Sequence, residues 1–313
     1  MNKKRWQIVL KILISVVLFA VIFSRIDFVD VWENFKLVDT RYLPLPILFI
    51  ILNWLIGAFR WKALLIHKNS EKVQTKYLSY LYFVGAFFNN FMPTSVGGDV
   101  YKVFALGKKI GSKTDAFTAT FMERFTGVMA LVLISYFGLA QTLDFWIAQL
   151  PLSISASSLY LTFFKFLVFF GFWIGIAAAF ILLRAFSKKI GFLGKIYNSL
   201  LMYRGRGDIL LSAFLTSFVI QLLSIFTQYF VFVSMGINLS ITYSLFVFPV
   251  IALATFFIPS LNGLGVQDAL FIQFFSSAGV PPELALSASI IYHLLRLFVS
   301  LFGGILYVFN KED

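Results

Sequence analysis

Apolar residues run along this chain in windows long enough to cross a lipid bilayer. Continuous windows cover about 6–24, 42–60, 114–140, 159–184, 208–235 and 283–309. A helix needs about 20 apolar residues to cross about 30 Å of hydrocarbon, because each residue adds about 1.5 Å of rise. The pattern therefore predicts an all-α polytopic membrane protein with about six full spans in a single membrane domain.

Two further apolar segments are interrupted by residues that break helices. The segment 77–110 contains NNFMPTSVGGD at 89–99, and the segment 243–281 contains IPSLNGLG at 258–265. Basic residues flank both ends of the first segment, which places both ends on one side of the membrane. The second segment begins and ends on the opposite side. We therefore predict two re-entrant broken-helix hairpins.

The order of the segments repeats along the chain. Residues 1–140 contain two spans, a hairpin and a span, and residues 141–313 repeat that order. Glycine follows Pro93 and Pro259 at the same spacing. Because the halves begin on opposite sides, the sequence predicts an inverted repeat, which in transporters places a substrate site near the membrane midplane. Glycine and proline are frequent in membrane helices generally, so one hairpin alone would not support this prediction.

Loop charge predicts the topology. The chain has 26 Lys+Arg against 14 Asp+Glu, a formal net charge of +12. The basic residues lie in short loops, which indicates the positive-inside rule and no nucleic-acid partner. Both termini and loops 60–76 and 185–207 are predicted to be cytoplasmic, and loops 25–41 and 141–158 to be outside. The expected location is the bacterial inner (plasma) membrane, with multiple passes.

The hairpin tips have the residues of an anion site. Glycine lets the backbone turn sharply and approach a ligand closely. Thr94 or Ser95 can cap the second half-helix of the first hairpin, as Ser260 or Asn262 can in the second. The positive end of such a half-helix favours a phosphate or a carboxylate. A Walker-type phosphate loop is excluded, because no Gly-Lys-Ser/Thr follows the glycines.

Charged side chains inside the predicted spans also need partners. A charge at the centre of a membrane helix costs about 2.5–3.5 kcal/mol on insertion scales. Arg296 could pair with Glu123 or Asp268, or could bind an incoming phosphate. A lone histidine such as His293 is more often a packing residue than a ligand. The candidate substrate-binding residues are Asn90, Thr94, Ser95, Gly97, Gly98, Asp99, Glu123, Arg124, Asn262, Gly263, Gly265, Asp268, His293 and Arg296.

The sequence gives no indication of an enzyme. It contains no set of nucleophile, histidine and acid and no cluster of metal-ligating residues. Cysteine is absent, which excludes disulfides and thiolate metal sites. We therefore expect no catalytic residue, no bound metal and no cofactor.

Four motifs resemble a known family. They are NNFMPTSVGGDVYK at 89–102, FMERFTG at 121–127, IPSLNGLGVQD at 258–268 and ASIIYHLLRL at 288–297. Together they are similar to the flippase-like transmembrane region of lysylphosphatidylglycerol synthases, and the resemblance covers nearly the whole chain. It implies lipid transfer between leaflets, as expected for members fused to a synthase. This sequence lacks the soluble aminoacyltransferase domain, so lysyl-lipid synthesis is not expected, and Asp268 replaces an expected glutamate.

The sequence thus predicts a lipid flippase or lipid-phosphate transporter that binds an anionic head group between the two hairpin tips. Its partners would be membrane lipids, either an anionic phospholipid or a polyprenyl phosphate. A lipid-modifying enzyme or a glycosyltransferase is a further candidate partner. Two alternatives stay open: an ion-coupled transporter of a small organic anion, and a non-transporting scaffold for such an enzyme. A lipid cargo predicts a cavity open sideways to the bilayer, whereas a scaffold predicts closely packed tips.

Overall fold

A computed structural model describes most of the chain. The described residues are 28–66, 70–91, 97–148, 170–171, 174–175, 178, 181–189, 191–258, 260 and 262–309. Every regular element in these residues is a helix. The predicted span 6–24 and most of the predicted span 159–184 lie outside the described residues, as do Thr94 and Ser95.

The helices follow the apolar windows of the sequence. In chain order they are α1 (Phe28–Lys36), α2 (Pro44–Leu64), α3 (Thr75–Phe91), α4 (Gly97–Ile110), α5 (Lys113–Ala148), α6 (Gly191–Leu201), α7 (Gly207–Ser234), α8 (Ile241–Phe257), α9 (Val266–Ser277) and α10 (Pro282–Phe309). Short 3-10 turns cover Thr40–Tyr42 and Ser70–Lys72. Within the described ranges, the segments long and apolar enough to cross a membrane are Thr40–Leu64, Lys113–Trp146, Gly207–Ser234 and Pro282–Phe309. The prediction of an all-α membrane protein is confirmed.

Two helices extend beyond the predicted span boundaries. Helix α5, which contains the predicted span 114–140, continues to Ala148 and includes the first part of the predicted outer loop. Arg60, where the predicted span 42–60 meets the predicted loop 60–76, lies inside α2 and is only 7% exposed. It pairs with Glu123 on α5. The remaining loop is still basic.

Both interrupted segments break where the sequence places proline and glycine. The helices before the breaks, α3 and α8, are each 17 residues long. The start of α4 precedes the start of α5 by the same number of residues as the start of α9 precedes the start of α10. The two halves therefore match in the length of the helix before each break and in this spacing, as well as in the order of their elements. Their opposite orientation in a membrane stays a prediction.

The packing of the helices also repeats. Helix α2 packs against α7, α3 packs against α10, and α5 packs against α8. Within each half, α4 packs against α5 and α9 packs against α10. If α2 to α5 are exchanged in order for α7 to α10, the contact between α2 and α7 maps onto itself, and each of the others becomes another contact that the structure contains. The contact pattern thus has the two-fold character expected of an internal repeat.

Two apolar clusters form the core, one centred on each half. The first contains Trp61, Leu81 and Met122 of α2, α3 and α5, together with Ala213 of α7. The second contains Phe232 of α7, together with Ile134 of α5. Inside a bilayer such side chains stabilise the contact between helices through close van der Waals packing, not through removal from water. Residues beside the breaks are therefore held by packed helices.

Candidate functional site

Gly98, just after the first break, lies against the backbone of α3. A Cβ atom at Gly98 would come within 1.9 Å of the carbonyl oxygen of Gly85. Only glycine allows this approach of two helices. The N–H of Gly98 donates to Oδ1 of Asn89 at 2.7 Å. A donor that was expected to face a ligand is therefore used by the protein itself.

The second break needs glycine for a different reason. Gly265 has φ 80° and ψ −49°, a conformation that residues with a Cβ rarely adopt. Its N–H donates to Oδ2 of Asp268 at 2.8 Å. The predicted caps of α9, Ser260 and Asn262, were wrong, because the carboxylate of Asp268 lies within the first turn and reaches the free N–H.

The two break regions touch each other. Nδ2 of Asn262 donates to Oδ1 of Asn90 at 2.6 Å. Nδ2 of Asn90 donates to the hydroxyl of Ser300 on α10 at 2.6 Å. The contact joins residues of the two halves, as expected for paired hairpin tips. A binding role for Asn90 and Asn262 stays a prediction.

Charged side chains form a buried network beside the first break, which we call the charge cluster (Arg60, Asp99, Lys102, Glu123 and Arg124). Glu123 accepts from Nη2 of Arg60 at 2.9 Å and from Nζ of Lys102 at 3.2 Å. Asp99 accepts from Nε of Arg124 at 2.8 Å, and Nζ of Lys102 lies 3.7 Å from its other oxygen. Three formal positive charges thus face two negative ones.

Hydrogen-bond donors outnumber acceptors around this cluster. Nζ of Lys102 lies 4.5 Å from the ring centre of Trp61 and 3.7 Å from that of Tyr82. Among the described residues, Nε of Arg60, Nε1 of Trp61 and the hydroxyl of Tyr82 have no hydrogen-bond partner. The side chain of Arg124 is 47% exposed, whereas the other four charged side chains are buried. Arg124 is thus the accessible edge of the cluster.

A corresponding acid and base lie beside the second break. Asp268 accepts from the hydroxyl of Ser289 at 2.6 Å, and Nε2 of His293 lies 3.4 Å from the same carboxylate. Asp99 and Arg124 are 25 residues apart, and the same spacing separates Asp268 from His293. Each acid is the third residue of its helix, and each base is the twelfth. The bases therefore lie about 16 Å along their helices, about half the thickness of the hydrocarbon.

Arg296 does not have the predicted acid partner. Glu123 pairs with Arg60 and Lys102, and Asp268 pairs with His293. The guanidinium of Arg296 lies over the ring of Tyr292, 5.5 Å from its centre. Arg296 follows His293 by three residues, so both lie on one face of α10, and their spacing does not decide which of them reaches α9.

Three polar residues in or beside the charge cluster were not among the candidate residues of the sequence. Arg60 and Lys102 belong to the charge cluster, and the hydroxyl of Ser217 accepts from Nη1 of Arg60 at 2.7 Å. One signal was available, because Lys102 follows Asp99 by three residues and shares its helix face. Polar side chains of α2 and α7 form a second hydrogen bond between these helices, in which Nδ2 of Asn53 donates to the hydroxyl of Ser224 at 2.8 Å.

A cavity of about 290 Å³ lies away from the breaks, between α1 and the start of α10. Its lining residues are Glu33, Asn34, Leu37, Pro281, Glu283 and Leu284. Glu33 is paired with Lys36 at 2.6 Å, and Glu283 adds a second carboxylate. The lining therefore offers no unpaired cation for the predicted anionic cargo.

Comparison with known proteins agrees with this architecture. The family model of the lysylphosphatidylglycerol synthase TM region matches residues 8–304. The chain belongs to this family. A UPF0104 membrane protein of Pyrococcus horikoshii is 27% identical to it over 298 residues, which cover 88% of each chain. A UPF0104 membrane protein of Methanothermobacter thermautotrophicus is 24% identical over 317 residues, or 92% of this chain and 90% of the relative. The predicted family resemblance is confirmed, and the protein is a multi-pass member of the family.

Proposed function

We propose that this member of the lysylphosphatidylglycerol synthase TM family is a lipid flippase or lipid-phosphate transporter. The charge cluster would bind the anionic head group. The observation that supports this most is the formal charge of the cluster, three basic side chains against two acids. An uncompensated charge inside a membrane is costly. The phosphate of a lipid would supply the missing negative charge.

Arg124 is the residue best placed to meet the phosphate first. Its side chain is 47% exposed, and its guanidinium can donate two parallel hydrogen bonds to phosphate oxygens. Lys102 also lies near Asp99. If a head group drew Arg124 away, Lys102 would therefore keep Asp99 paired. The cluster can thus accept a phosphate without leaving a buried acid unpaired.

The depth of the cluster favours transport over surface binding. Arg124 is the twelfth residue of α5, which places it about halfway through the hydrocarbon if α5 begins at the membrane surface. A head group that reaches this depth has left the interface of its own leaflet. The donors of Trp61 and Tyr82 would add hydrogen bonds to it.

Lipid binding by the purified protein tests this proposal. We expect native mass spectrometry to find phosphatidylglycerol or polyprenyl phosphate bound in preference to phosphatidylcholine. Arg124→Gln should weaken this binding about tenfold, because a hydrogen bond to a charged group contributes about 1.5–3 kcal/mol. Arg41→Gln is the matched control, since Arg41 is exposed and pairs only locally with Asp39. Equal binding by the two variants would contradict the role of Arg124.

The same experiment separates a lipid cargo from a small organic anion. Glycerol phosphate has the phosphate group without the acyl chains. If it displaces the bound lipid at similar concentration, the site recognises the head group alone and the small-anion alternative gains support. If it does not compete, the acyl chains contribute to recognition and the cargo is a lipid.

A scaffold without transport is the second candidate, and one observation favours it. The break regions are in contact through Asn90 and Asn262, as a scaffold with closely packed tips would require. In a transporter this contact would belong to one of at least two states. Measured lipid movement in reconstituted vesicles distinguishes the two, because a scaffold moves no lipid.

A further inference from the structure

The acid and base beside each break differ in one chemical property between the halves. In the first half the base is Arg124, and at the corresponding position of the second half it is His293. Arginine keeps its charge at any physiological pH. A free imidazole gains or loses its proton near about pH 6.5, so histidine changes charge in the physiological range. The first pair is permanently ionised, whereas the second can exist with or without one proton.

We propose that Asp268 and His293 form a proton-binding site that couples movement of the anionic cargo to movement of a proton. This inference rests on the proposed transport function and names its coupling ion. A head group with one negative charge that moves together with one proton transfers no net charge. Such coupling avoids the cost of carrying an unbalanced charge through the hydrocarbon.

The geometry assigns the proton to the imidazole. Asp268 is 1% exposed and accepts hydrogen bonds from the N–H of Gly265 and the hydroxyl of Ser289. These donors stabilise its carboxylate whether or not His293 is charged. Nε2 of His293 lies 3.4 Å from this carboxylate but makes no aligned hydrogen bond in the described part of the chain. The imidazole is near enough to pair when protonated, and it is not held in that form by a hydrogen bond.

Few other ionisable groups of the described chain face His293. Arg296 and Tyr292, on α10 itself, are neighbours and lie against each other. Charged residues on the other helices packed against α10 are Asp30, Glu33 and Lys36 on α1, Arg60 and Lys62 on α2, Lys76 on α3 and Asp208 on α7. These residues lie near helix ends or pair with other residues. Arg60, for example, pairs with Glu123. Asp268 is therefore the acid that responds to the charge of His293.

Proton uptake changes the pair in a defined way. A proton from water on one side converts the neutral imidazole into imidazolium, and the formal charge of the pair changes from −1 to 0. The second pair then has the same charge as Asp99 with Arg124. The proton leaves to water on the other side when the head group is released. The His293 side chain is 13% exposed but its Nε2 is buried, so exchange of this proton with water requires the site to open.

Histidine NMR tests the site without any transport assay. The chain has two histidines, so His67→Gln leaves His293 as the one signal. We expect the imidazole signal of the purified protein to move between its neutral and protonated positions within the range in which histidine changes charge, about pH 5 to 8. By linkage, binding of phosphatidylglycerol should tighten by up to about tenfold per pH unit as the pH falls through this transition. A histidine that keeps one protonation state over the whole range, with and without lipid, would overturn the inference.

A transport assay distinguishes failure of the coupling from failure of the proposed function. In vesicles with fluorescent phosphatidylglycerol, a pH gradient should change the rate of lipid movement by the wild type. His293→Arg restores the permanent pair of the first half, so the ratio of rates with and without the gradient should fall to about 1. His67→Gln is the control and should keep the wild-type ratio. If the wild type moves lipid at the same rate with and without the gradient, the coupling is contradicted and the proposed function is not. If the wild type moves no lipid in either condition, the proposed function is contradicted. The NMR result then decides whether His293 binds a proton.

Discussion

The side-chain amide of Asn262 donates to that of Asn90 at 2.6 Å and so joins the break regions of the two halves. Asn90 lies in the last turn of α3, and Asn262 lies between α8 and α9. Asn90 also donates to the hydroxyl of Ser300, which connects the end of α3 to α10. If the halves move relative to one another during transport, this contact must open.

Locking the contact should stop transport. The chain has no cysteine, so the double variant Asn90→Cys, Asn262→Cys contains a single possible disulfide within the chain. The two asparagine side chains are in contact, and mild oxidation forms a disulfide where the Cα atoms come within about 7 Å. Lipid movement should cease on oxidation and return on reduction. The single-cysteine variants are the controls. If the cross-linked protein moves lipid as fast as the same protein after reduction of the disulfide, the tips do not need to open.

Gly98 should be required for folding. A side chain there would collide with the backbone oxygen of Gly85 at 1.9 Å, and overpacking against a fixed neighbour costs about 1–3 kcal/mol or more. We expect Gly98→Val to lower the yield and the thermal midpoint of the purified protein, measured by fluorescence size-exclusion chromatography. Gly127→Ala is the control, because its Cβ would meet Gln221 at 3.5 Å, an ordinary contact. Wild-type stability with lost lipid binding in Gly98→Val would instead assign this glycine to the ligand.

The pair of Arg60 and Glu123 should behave as one unit. Removing one partner of a buried ion pair costs about 3–5 kcal/mol, because the other charge is left uncompensated. Arg60→Met and Glu123→Gln should therefore each lower the thermal midpoint strongly. The double variant should be less destabilised than the sum of the two single variants. Strict additivity would show that the 2.9 Å contact contributes nothing to stability.

The predicted topology can be tested at the end of α5. Asp144 is exposed and lies in the last turns of this helix. Since the chain has no cysteine, Asp144→Cys introduces one labelling site. We expect a membrane-impermeant maleimide to label it from outside intact cells. Labelling from the cytoplasmic side alone would contradict the inverted repeat.

The sequence predicted the helices and their breaks because these depend on local chemistry. Apolar windows determine the spans. Proline alone does not end a helix here, since Pro249 lies inside α8, but Pro93 and Pro259 are each followed by glycines, and this combination marks the breaks. The paired organisation could also be inferred, since it appears as a repeated order of segments. The end of α5 was predicted less well, because its last turns contain Asp144 and the sequence gives no sharp stop signal.

The partners of the charged residues could not be predicted in the same way. Helical spacing places Arg296 and His293 on one face of α10, but the rotation of α10 against α9 decides which one meets Asp268. The burial of Arg60 depends likewise on α5 bringing Glu123 to α2. Glycine is ambiguous in sequence for a similar reason, since Gly98 permits close helix packing and Gly265 permits a positive φ.

Lipid movement by the reconstituted protein tests the central claim most directly. Vesicles containing the wild type should move fluorescent phosphatidylglycerol between leaflets faster than protein-free vesicles. Arg124→Gln should reduce the added rate about tenfold, because the accessible cation of the charge cluster is lost. Arg41→Gln removes an exposed arginine outside the cluster and should keep the wild-type rate. A wild type that moves no lipid, or an Arg124→Gln variant as fast as the wild type, would contradict the account.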